Sequence, residues 1–321
     1  MAACGLGKVT AAIKPVSGGF LHRMYRVVTT QGEYAVKYLN PEIMARPTAA
    51  VNFARAEEIE KRLEEQGLPI VPALTIHGKK MQSVDGGFFY VFRWQQGHIT
   101  DWNAISQEQC YKVGRILGQI HAVQPRELTS EEMADQEPEI RQTDWHGYVL
   151  RAKELSSEIA PLLESQEALF YYADQELNKA RAALPGILCL SNEDMDPKNV
   201  MWDGEEPWVI DLECLDLGNP MSHALQLALQ WAGAATCNLK MENFKAFFEG
   251  YQSAYDNGFL AYDTIFGIAY TWVEWLEYNI GRALGKCQDA AEQEMGISEV
   301  KNTVARIAYL REMEEKINEI W

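Results

Sequence analysis

The sequence has few of the features that mark membrane, secreted or nucleic-acid-binding proteins. It has no apolar run near the ~20 residues that span a bilayer, and its first residues lack the basic segment and apolar core of a secretory signal. Its 46 acidic residues outnumber its 29 basic ones, and the net charge of −17 disfavours a nucleic-acid partner. These absences predict a cytoplasmic protein with no membrane partner. The acidity serves solubility in many proteins, and it also attracts cationic small molecules or metal–nucleotide complexes.

Cysteine is scarce and scattered, and repeats are absent. The 6 cysteines form no C-x-x-C pair and have no histidine-rich companion segment. This spacing argues against a structural zinc site and against a disulfide framework, and it fits a reducing compartment. There is no internal repeat, low-complexity tract or proline- or serine-rich linker. A hydrophobic fraction of 47% over 321 residues allows a full core and two domains or lobes.

What the sequence does contain is a change of periodicity near residues 94–97. Residues 8–40 alternate as strands do, residues 49–67 repeat as a helix, and strand candidates follow at 72–78 and 86–94. Beyond residue 97 the chain is helical almost to its end, apart from the acidic region around residues 191–213. The pattern predicts an α+β protein with a small β-rich lobe, residues 1–96, and a larger helical lobe, residues 97–321.

A glycine-rich turn and a lysine lie in the predicted small lobe. Gly18 and Gly19 separate two strand candidates, where backbone N–H groups can approach phosphate oxygens, although such a pair also suits an ordinary hairpin. Lys37 follows in the apolar segment EYAVKYL. It is either an edge-strand lysine that reaches solvent or the lysine that neutralises nucleotide phosphates in protein-kinase-like folds.

A phosphate-binding lysine of this kind needs a carboxylate from the following helix. The segment FARAEEIEKRL offers Glu57, Glu58 and Glu60. Glu57 is the preferred partner, because it lies one turn after Phe53 and roughly opposite the solvent face of Lys61. Glu58 stays open, and a solvated helix face explains any one of these acids equally well.

The stretch NEDMDPKNVMWDGEEPWVID, residues 192–211, places oxygen-bearing side chains between apolar strands. Asp194 and Asn199 lie five residues apart around turn residues, and a predicted hairpin brings Asp211 beside them. In phosphoryl-transfer sites an Asp accepts the proton of the attacking hydroxyl, and an Asn and a second Asp hold the metal ions. A solvated acidic turn would not require apolar strands on both sides of the ligand positions.

Taken together, these motifs resemble the aminoglycoside phosphotransferase family of small-molecule kinases, which includes choline and homoserine kinases. The resemblance runs from about residue 12 to residue 284 and implies a two-lobe protein-kinase-like fold with ATP (or GTP) and Mg²⁺. It implies that Asp194 is the catalytic base, that Asn199 and Asp211 bind metal, and that Lys37 binds phosphate. In FYVFRWQQG, the backbone of Phe92 and of Trp94 would meet the adenine edge.

Three residues depart from the family pattern. Asn192 stands where the family has a histidine that braces the catalytic loop, and Asn219 and His223 replace two acids of a later segment. The base, the metal ligands and the lysine are unaffected. An active kinase is therefore expected, ahead of a nucleotide-binding pseudokinase with a regulatory role or an acidic protein that binds no nucleotide.

The acceptor of the phosphate is expected to be a small molecule with a hydroxyl group, such as an amino sugar or an amino alcohol. The segment YTWVEWLEYNIGRAL combines aromatic and acidic residues, which suit a cation; these are Trp272, Glu274, Trp275, Glu277 and Tyr278. Asp196, inside the acidic loop, is a further candidate for an acceptor contact. Ordinary core packing of the tryptophans is an equally good explanation of the segment.

Overall fold

The computed structural model describes residues 1–16, 22–123, 140–255 and 262–319. These residues form two compact units. The first comprises Met1–Asp101, Gln119–Gln124 and Leu190–Leu217, and the second comprises Trp102–Gly118, Pro125–Cys189 and Gly218–Trp321. The chain first leaves the first unit at Asp101 and returns to it in two later segments, and the predicted lobes, residues 1–96 and 97–321, stay a prediction. The first unit is rich in strands and the second in helices, so the α+β class is confirmed.

An antiparallel sheet of five strands dominates the first unit, in the order β1-β2-β3-β5-β4. β-branched and aromatic residues favour these strands, and alternate side chains such as Val27, Tyr34 and Val91 are buried. Because β3 lies in the middle of the sheet, its residues have a strand on each side. The strands are β1 Lys14–Val16, β2 Arg23–Thr29, β3 Gly32–Tyr38, β4 Gln82–Val84 and β5 Gly87–Arg93.

Two helices, α1 Pro41–Met44 and α2 Ala49–Glu65, follow the third strand. The apolar side of α2 buries Phe53 and Leu63, and Gly67, with φ of 68°, follows the helix end as predicted. The strand predicted at residues 72–78 is wrong. That segment makes only isolated bridges: Ala73 pairs with Phe92 on β5, and Ile76 pairs locally with Lys79.

The remaining strands of the first unit surround the acidic stretch. β8 and β9 form the predicted hairpin, paired from Val200–Val209 to Asp203–Glu206, with Gly204 in its turn at φ of 61°. β6 pairs with β8, and β7 pairs with β10. These strands are β6 His98–Ile99, β7 Cys189–Asn192, β8 Val200–Asp203, β9 Glu206–Val209 and β10 Leu215–Gly218.

Helices make up most of the second unit. The predicted apolar face of α3 buries Val113 and Leu117. A Cβ on Gly114 would lie 2.0 Å from the carbonyl oxygen of Phe247, so glycine is what lets α3 and α7 approach so closely. The helix predicted from residue 265 onward is a 3₁₀ helix over Asp263–Thr271 before it becomes α8. The helices are α3 Gln107–Ala122, α4 Trp145–Glu154, α5 Ala160–Ala183, α6 Pro220–Trp231, α7 Met241–Ala254, α8 Trp272–Ala283 and α9 Ala290–Asn318.

Helix length and composition bear on membranes. Among the described residues, no helix combines the length and the apolar character that crossing a bilayer requires.

Candidate active site

Lys37 lies on β3, the middle strand of the five-stranded sheet, and its side chain is only 7% exposed. It is therefore not an edge-strand lysine that reaches solvent. Its Nζ lies 2.7 Å from Oδ1 of Asp211 and 2.7 Å from Oε1 of Glu213. Burial alone would lower the pKa of Lys37, but the two carboxylates outweigh burial and raise it above its usual value of 10.5. A lysine held charged in this way can neutralise phosphate oxygens.

The carboxylate that holds Lys37 is not the one chosen from the sequence. Oε1 of Glu57 accepts hydrogen bonds from the hydroxyl of Tyr90 at 2.7 Å and from the backbone N–H of Met81 at 3.2 Å. Tyr90 is the cross-strand neighbour of Lys37 on β5. Burial and the Glu57 carboxylate raise the pKa of Tyr90, so this phenol stays a donor. Glu57 still lines a small cavity of about 20 Å³ together with Lys37.

The other two acids of α2 also have partners of their own. Glu58 pairs with Arg62 one turn later, at 3.1 Å. Glu60 pairs with the buried Lys80. No carboxylate of α2 is therefore bonded to Lys37. Glu57 is bonded to Tyr90 and Glu60 is paired with Lys80 instead. Helical periodicity alone could not reveal these competing partners.

The loop that carries Asp194 is fixed by two asparagines. The amide nitrogen of Asn199 donates to the backbone carbonyl of Asp194 at 2.7 Å. The Asn192 side-chain oxygen accepts from the backbone N–H of Asp194 at 3.1 Å. Asn192, which stands where the family has histidine, thus still braces the loop. Its own side-chain N–H group is buried, with no hydrogen-bond partner in the described part of the chain.

Lys198, which the sequence reasoning missed, lies between two acids of this loop. Its Nζ is 3.0 Å from Oδ1 of Asp194 and 2.8 Å from Oδ2 of Asp196. Asp196 also accepts from the backbone N–H of Lys198 at 3.1 Å and so caps the turn Pro197–Asn199. Burial is the main reason that the pKa of Asp196 rises to about 6. Because Asp196 is buried and bonded within the loop, its contacts are those of a bracing residue, and they do not support the predicted acceptor contact.

Asp211 follows the β8–β9 hairpin, and its backbone has a positive φ angle. Its φ of 58° lies in the left-handed region, which costs a non-glycine residue about 1 kcal/mol or more. The N–H of Ile210 donates to the carbonyl of Asn199 at 2.9 Å, so the segment before Asp211 is bonded to the loop that carries Asp194. The carboxylate of Asp211 lies 2.7 Å from Nζ of Lys37.

Asn199 and Asp211 fit the predicted role of magnesium ligands. Carboxylate and amide oxygens are the hard donors that Mg²⁺ prefers, and Mg²⁺ commonly takes only one or two protein ligands when phosphates complete its shell. Across the described ranges, no group of three or more His, Cys, Asp or Glu residues could hold a metal by itself. The donor set therefore fits a cation that is shared with phosphate oxygens.

His22 is the second residue that the sequence reasoning missed. It precedes β2, and its Nε2 lies 3.0 Å from Oε2 of Glu213. His22 and Lys37 together lower the pKa of the Glu213 carboxyl, although burial opposes this. A histidine shortly after the predicted turn at Gly18 and Gly19 was the available signal, but no local pattern connects it to a glutamate 191 positions later.

The remaining nucleotide-binding predictions concern the backbone. Gly18 and Gly19 lie outside the described residues. Phe92 pairs with Ala35 in the ladder between β3 and β5, and the N–H of Trp94 donates to the carbonyl of Glu33 at 3.0 Å. The N–H of Trp94 is thus already used within the sheet, and a contact between this backbone and adenine stays a prediction.

The predicted acceptor residues lie together on α8, in the second unit, and have protein partners. Trp272 and Tyr278 each lie against an arginine, and Trp275 donates to a glutamate. Glu274 pairs with Arg181 at 2.7 Å, and Glu277 pairs with Arg141 at 2.6 Å. Of these five residues, Glu277 alone lines a cavity of about 840 Å³ in this unit. Arg141 and Tyr148 also line this cavity. The structure therefore groups these residues but balances both of their carboxylates with arginines.

Asn219, the second departure from the family pattern, caps α6. Its side-chain oxygen accepts from the backbone N–H groups of Met221 at 3.0 Å and Ser222 at 3.3 Å. The third departure, His223, is buried on the same helix. An asparagine can thus still cap the helix at this position.

A sequence profile described as the phosphotransferase enzyme family matches residues 12–289. The chain belongs to this family. The family predicted from the motifs is confirmed, and the protein is a small-molecule phosphotransferase, an enzyme of the kinase class. A comparison with curated proteins gave no match.

Several solved structures share the fold of this chain. Spectinomycin phosphotransferase APH(9)-Ia, in complex with ADP and spectinomycin, is 16% identical over 94% of this chain and 93% of its own, with a TM-score of 0.68. An amicoumacin kinase bound to AMP-PNP and Ca²⁺ is 13% identical over 95% and 91%, with a TM-score of 0.64. Plasmodium vivax ethanolamine kinase is 12% identical over 93% and 83%, with a TM-score of 0.61. They share the fold, so the kinase-like fold class is confirmed.

Proposed function

We propose that the enzyme transfers the γ-phosphate of ATP to a hydroxyl group of a small molecule, with Mg²⁺ as cofactor. The observation that carries the proposal is the ion pair between Lys37 and Asp211, which are 174 positions apart in sequence and 2.7 Å apart in space. A strand lysine beside a metal-binding aspartate is the arrangement that nucleotide phosphates require. The ADP and AMP-PNP bound to the two similar phosphotransferases support an adenine nucleotide, with GTP as the alternative.

In the proposed reaction, Asp194 orients the acceptor hydroxyl and accepts its proton as the bond from that oxygen to the γ-phosphorus forms and the bond from the γ-phosphorus to the β–γ bridging oxygen breaks, which releases ADP. Lys37 binds phosphate oxygens, and Asn199 and Asp211 would hold Mg²⁺. The bound ion supplies positive charge that neutralises the phosphates during transfer. Lys198 fixes the Asp194 carboxylate through its 3.0 Å contact. The protein thus contributes position and charge rather than a covalent intermediate.

A cationic acceptor, either an amino sugar or an amino alcohol, is part of this proposal. Its support is the net charge of −17 and the acceptors named for the similar proteins, spectinomycin and ethanolamine. The α8 residues remain candidates for the acceptor contact, chiefly Glu277, which faces the large cavity. A cytoplasmic location also stays a prediction, and all six cysteines are free thiols, as a reducing compartment would require.

The test is acceptor-dependent release of ADP from Mg-ATP across a panel of amino sugars, amino alcohols and uncharged sugars. We expect turnover with one cationic class and a loss of about 10³-fold in kcat for Asp194→Asn, the usual scale for removing a general base. Asp203→Asn, at the exposed tip of the β8–β9 hairpin, is the matched control and is expected to keep wild-type turnover.

Two other outcomes would replace the proposal. Stabilisation by Mg-ATP in a thermal shift assay, with no turnover on any acceptor, would favour the pseudokinase. The absence of any shift with Mg-ATP would exclude both nucleotide-dependent functions and favour an acidic binding protein.

A further inference from the structure

Glu213 has a protein partner on each of its two carboxylate oxygens. Oε1 lies 2.7 Å from Nζ of Lys37, and Oε2 lies 3.0 Å from Nε2 of His22. The side chains are largely shielded, with exposures of 19% for Glu213 and 7% for each of the other two. An ion pair shielded from water is stronger and less screened by salt than one on the surface.

The tautomer of His22 follows from its second contact. Its Nδ1 accepts a hydrogen bond from the backbone N–H of Asn40 at 3.0 Å, so Nδ1 carries no proton. The proton of a neutral ring then lies on Nε2, which donates to Glu213. Asn40 is itself held in place, because its side chain caps α1 by accepting from the N–H of Glu42 at 2.9 Å. The imidazole is therefore oriented from both sides.

Lys37 needs a second carboxylate once the cation binds. Asp211 is shared between Lys37, at 2.7 Å, and the proposed metal role, and a carboxylate engaged by Mg²⁺ holds a lysine less strongly. A buried ammonium group with no carboxylate partner is strongly unfavourable. Glu57 is bonded to Tyr90 instead, so Glu213 is the carboxylate that stays with Lys37.

We propose that Glu213, oriented by His22, holds Lys37 in position for the nucleotide phosphates, and that His22 keeps Glu213 from serving as a metal ligand. His22 is thus a positioning residue, which acts through Glu213 and Lys37. The inference rests on the proposed function, since it assigns Lys37 to the nucleotide. It also divides the acids after β9 into two roles, with Asp211 on the cation and Glu213 on the lysine.

Two substitutions of His22 separate this role from a merely structural one. Gln places an amide N–H group near the position of Nε2, so it keeps the donor to Glu213 and loses the acceptor for Asn40. Asn places an oxygen near the position of Nδ1, so it keeps the acceptor for Asn40 and loses the donor to Glu213. A structural role for His22 would be rescued by Asn, whereas the proposed role would be rescued by Gln.

The measurement is the affinity for ADP by calorimetric titration, in EDTA and in excess Mg²⁺, with the melting temperature of each unliganded variant as a fold check. We expect His22→Ala and His22→Asn to weaken ADP binding by about tenfold in both buffers, the usual scale for a lost hydrogen bond to a charged group. His22→Gln should stay within about threefold of wild type. His146→Ala removes an exposed His–Glu pair and is the matched control, with no expected change.

Glu213→Gln distinguishes the lysine role from a metal role. We expect it to weaken ADP binding by a similar factor with and without Mg²⁺, because its partner is Lys37. A loss seen only in Mg²⁺ would show that Glu213 is a metal ligand, and rescue by Asn but not by Gln at position 22 would show a structural histidine. Either result overturns the proposal. If the wild-type protein binds no ADP, the proposed function fails first, and this inference fails with it.

Discussion

Two groups of acidic residues were singled out in the sequence, and they differ in how their charge is balanced. Around the proposed catalytic loop, four carboxylates share two lysines: Asp211 and Glu213 share Lys37, and Asp194 and Asp196 share Lys198. On α8, by contrast, each of the two carboxylates has an arginine within 2.7 Å. The first group has four carboxylates for two lysines. In the second, Asp174 also shares Arg141, so three carboxylates have two arginines and the excess of negative charge is smaller.

The comparison shows what an acidic cluster must have in order to bind a cation. Excess carboxylates around the buried Lys37 and the partly exposed Lys198 cost stability unless a further cation joins them, which Mg²⁺ with a nucleotide can do. An acidic residue already paired with arginine gains little from a cationic ligand, because the ligand must displace its partner. The α8 group therefore has weaker support as an acceptor site than its composition indicated.

The largest effect is expected from Lys37→Met, which leaves Asp211 and Glu213 without their shared cation. We expect nucleotide binding to be lost and the free energy of unfolding to fall by about 2–3 kcal/mol. This is less than for a fully buried pair, because Asp211 is 37% exposed. Urea unfolding and ADP titration measure the two effects. Lys61→Met, which breaks an exposed pair on α2, is the control and should change stability by less than about 0.5 kcal/mol. Equal losses of stability in both variants would contradict the stabilising role of the Lys37 pairs.

Lys198→Met sharpens the comparison within the catalytic loop. Without the lysine, Asp194 is less firmly oriented, and we expect kcat to fall by roughly 10- to 100-fold while KM for the nucleotide stays within about threefold. Lys198→Arg should recover part of the loss, because it keeps the charge. Lys179→Met, which breaks an exposed pair in the second unit, is the control. A rise in the nucleotide KM with normal kcat would contradict this role.

Asp196 supplies a prediction about pH. Its folded-state pKa of about 6 lies above its usual value of 3.8, so the folded protein binds this proton more tightly than the unfolded chain does. The stability it contributes is present below about pH 4 and is lost as pH rises through 6. The unfolding free energy of wild type minus that of Asp196→Asn should fall by about 1–2 kcal/mol between pH 4.5 and 7.5. Urea unfolding of both proteins across this pH range measures this difference in unfolding free energy. A difference that stays constant or rises with pH would show that Asp196 ionises normally.

The smallest effect is expected from Glu277→Gln, which tests the acidic residues on α8. Arg141 keeps its bond to Asp174 at 2.9 Å, so the loss of stability should be about 1 kcal/mol, with little change in acceptor KM. Glu167→Gln, whose partner is the exposed His146, is a control for the loss of a carboxylate. An acceptor KM raised more than tenfold, with an unchanged nucleotide KM, would show that α8 binds the acceptor after all.

Local patterns predicted the parts of the site that depend on neighbours in sequence. The β8–β9 hairpin and the turn around Pro197 were predictable, because glycine, proline and aspartate mark turns and because strand periodicity is short-ranged. These elements bond Ile210, the neighbour of Asp211, to Asn199, although β6 and residues 69–71 also pair with the hairpin. The apolar surroundings of Lys37 likewise predicted a strand, although they left its edge or central position open.

Partners chosen across long distances were not predictable from these patterns. Glu57 was the reasonable choice from helix geometry, yet Tyr90 on β5 takes its carboxylate, and Glu213 takes its place beside Lys37. The sequence signals for His22 and Lys198 were too weak to single them out, because a histidine after a predicted turn and a lysine in a loop have many ordinary explanations. Only the three-dimensional packing brings the competing groups within hydrogen-bond distance.

The sequence by itself thus determined the fold class, the family and the residue types of the proposed site, since these depend on periodicity, turns and spacing along the chain. The tertiary structure decided which carboxylate holds Lys37, which acids on α8 are paired with arginines, and how Asn192 braces the loop that carries Asp194. The reason is that an ion pair forms with whichever partner lies within about 4 Å, and that distance is set by elements far apart in the chain.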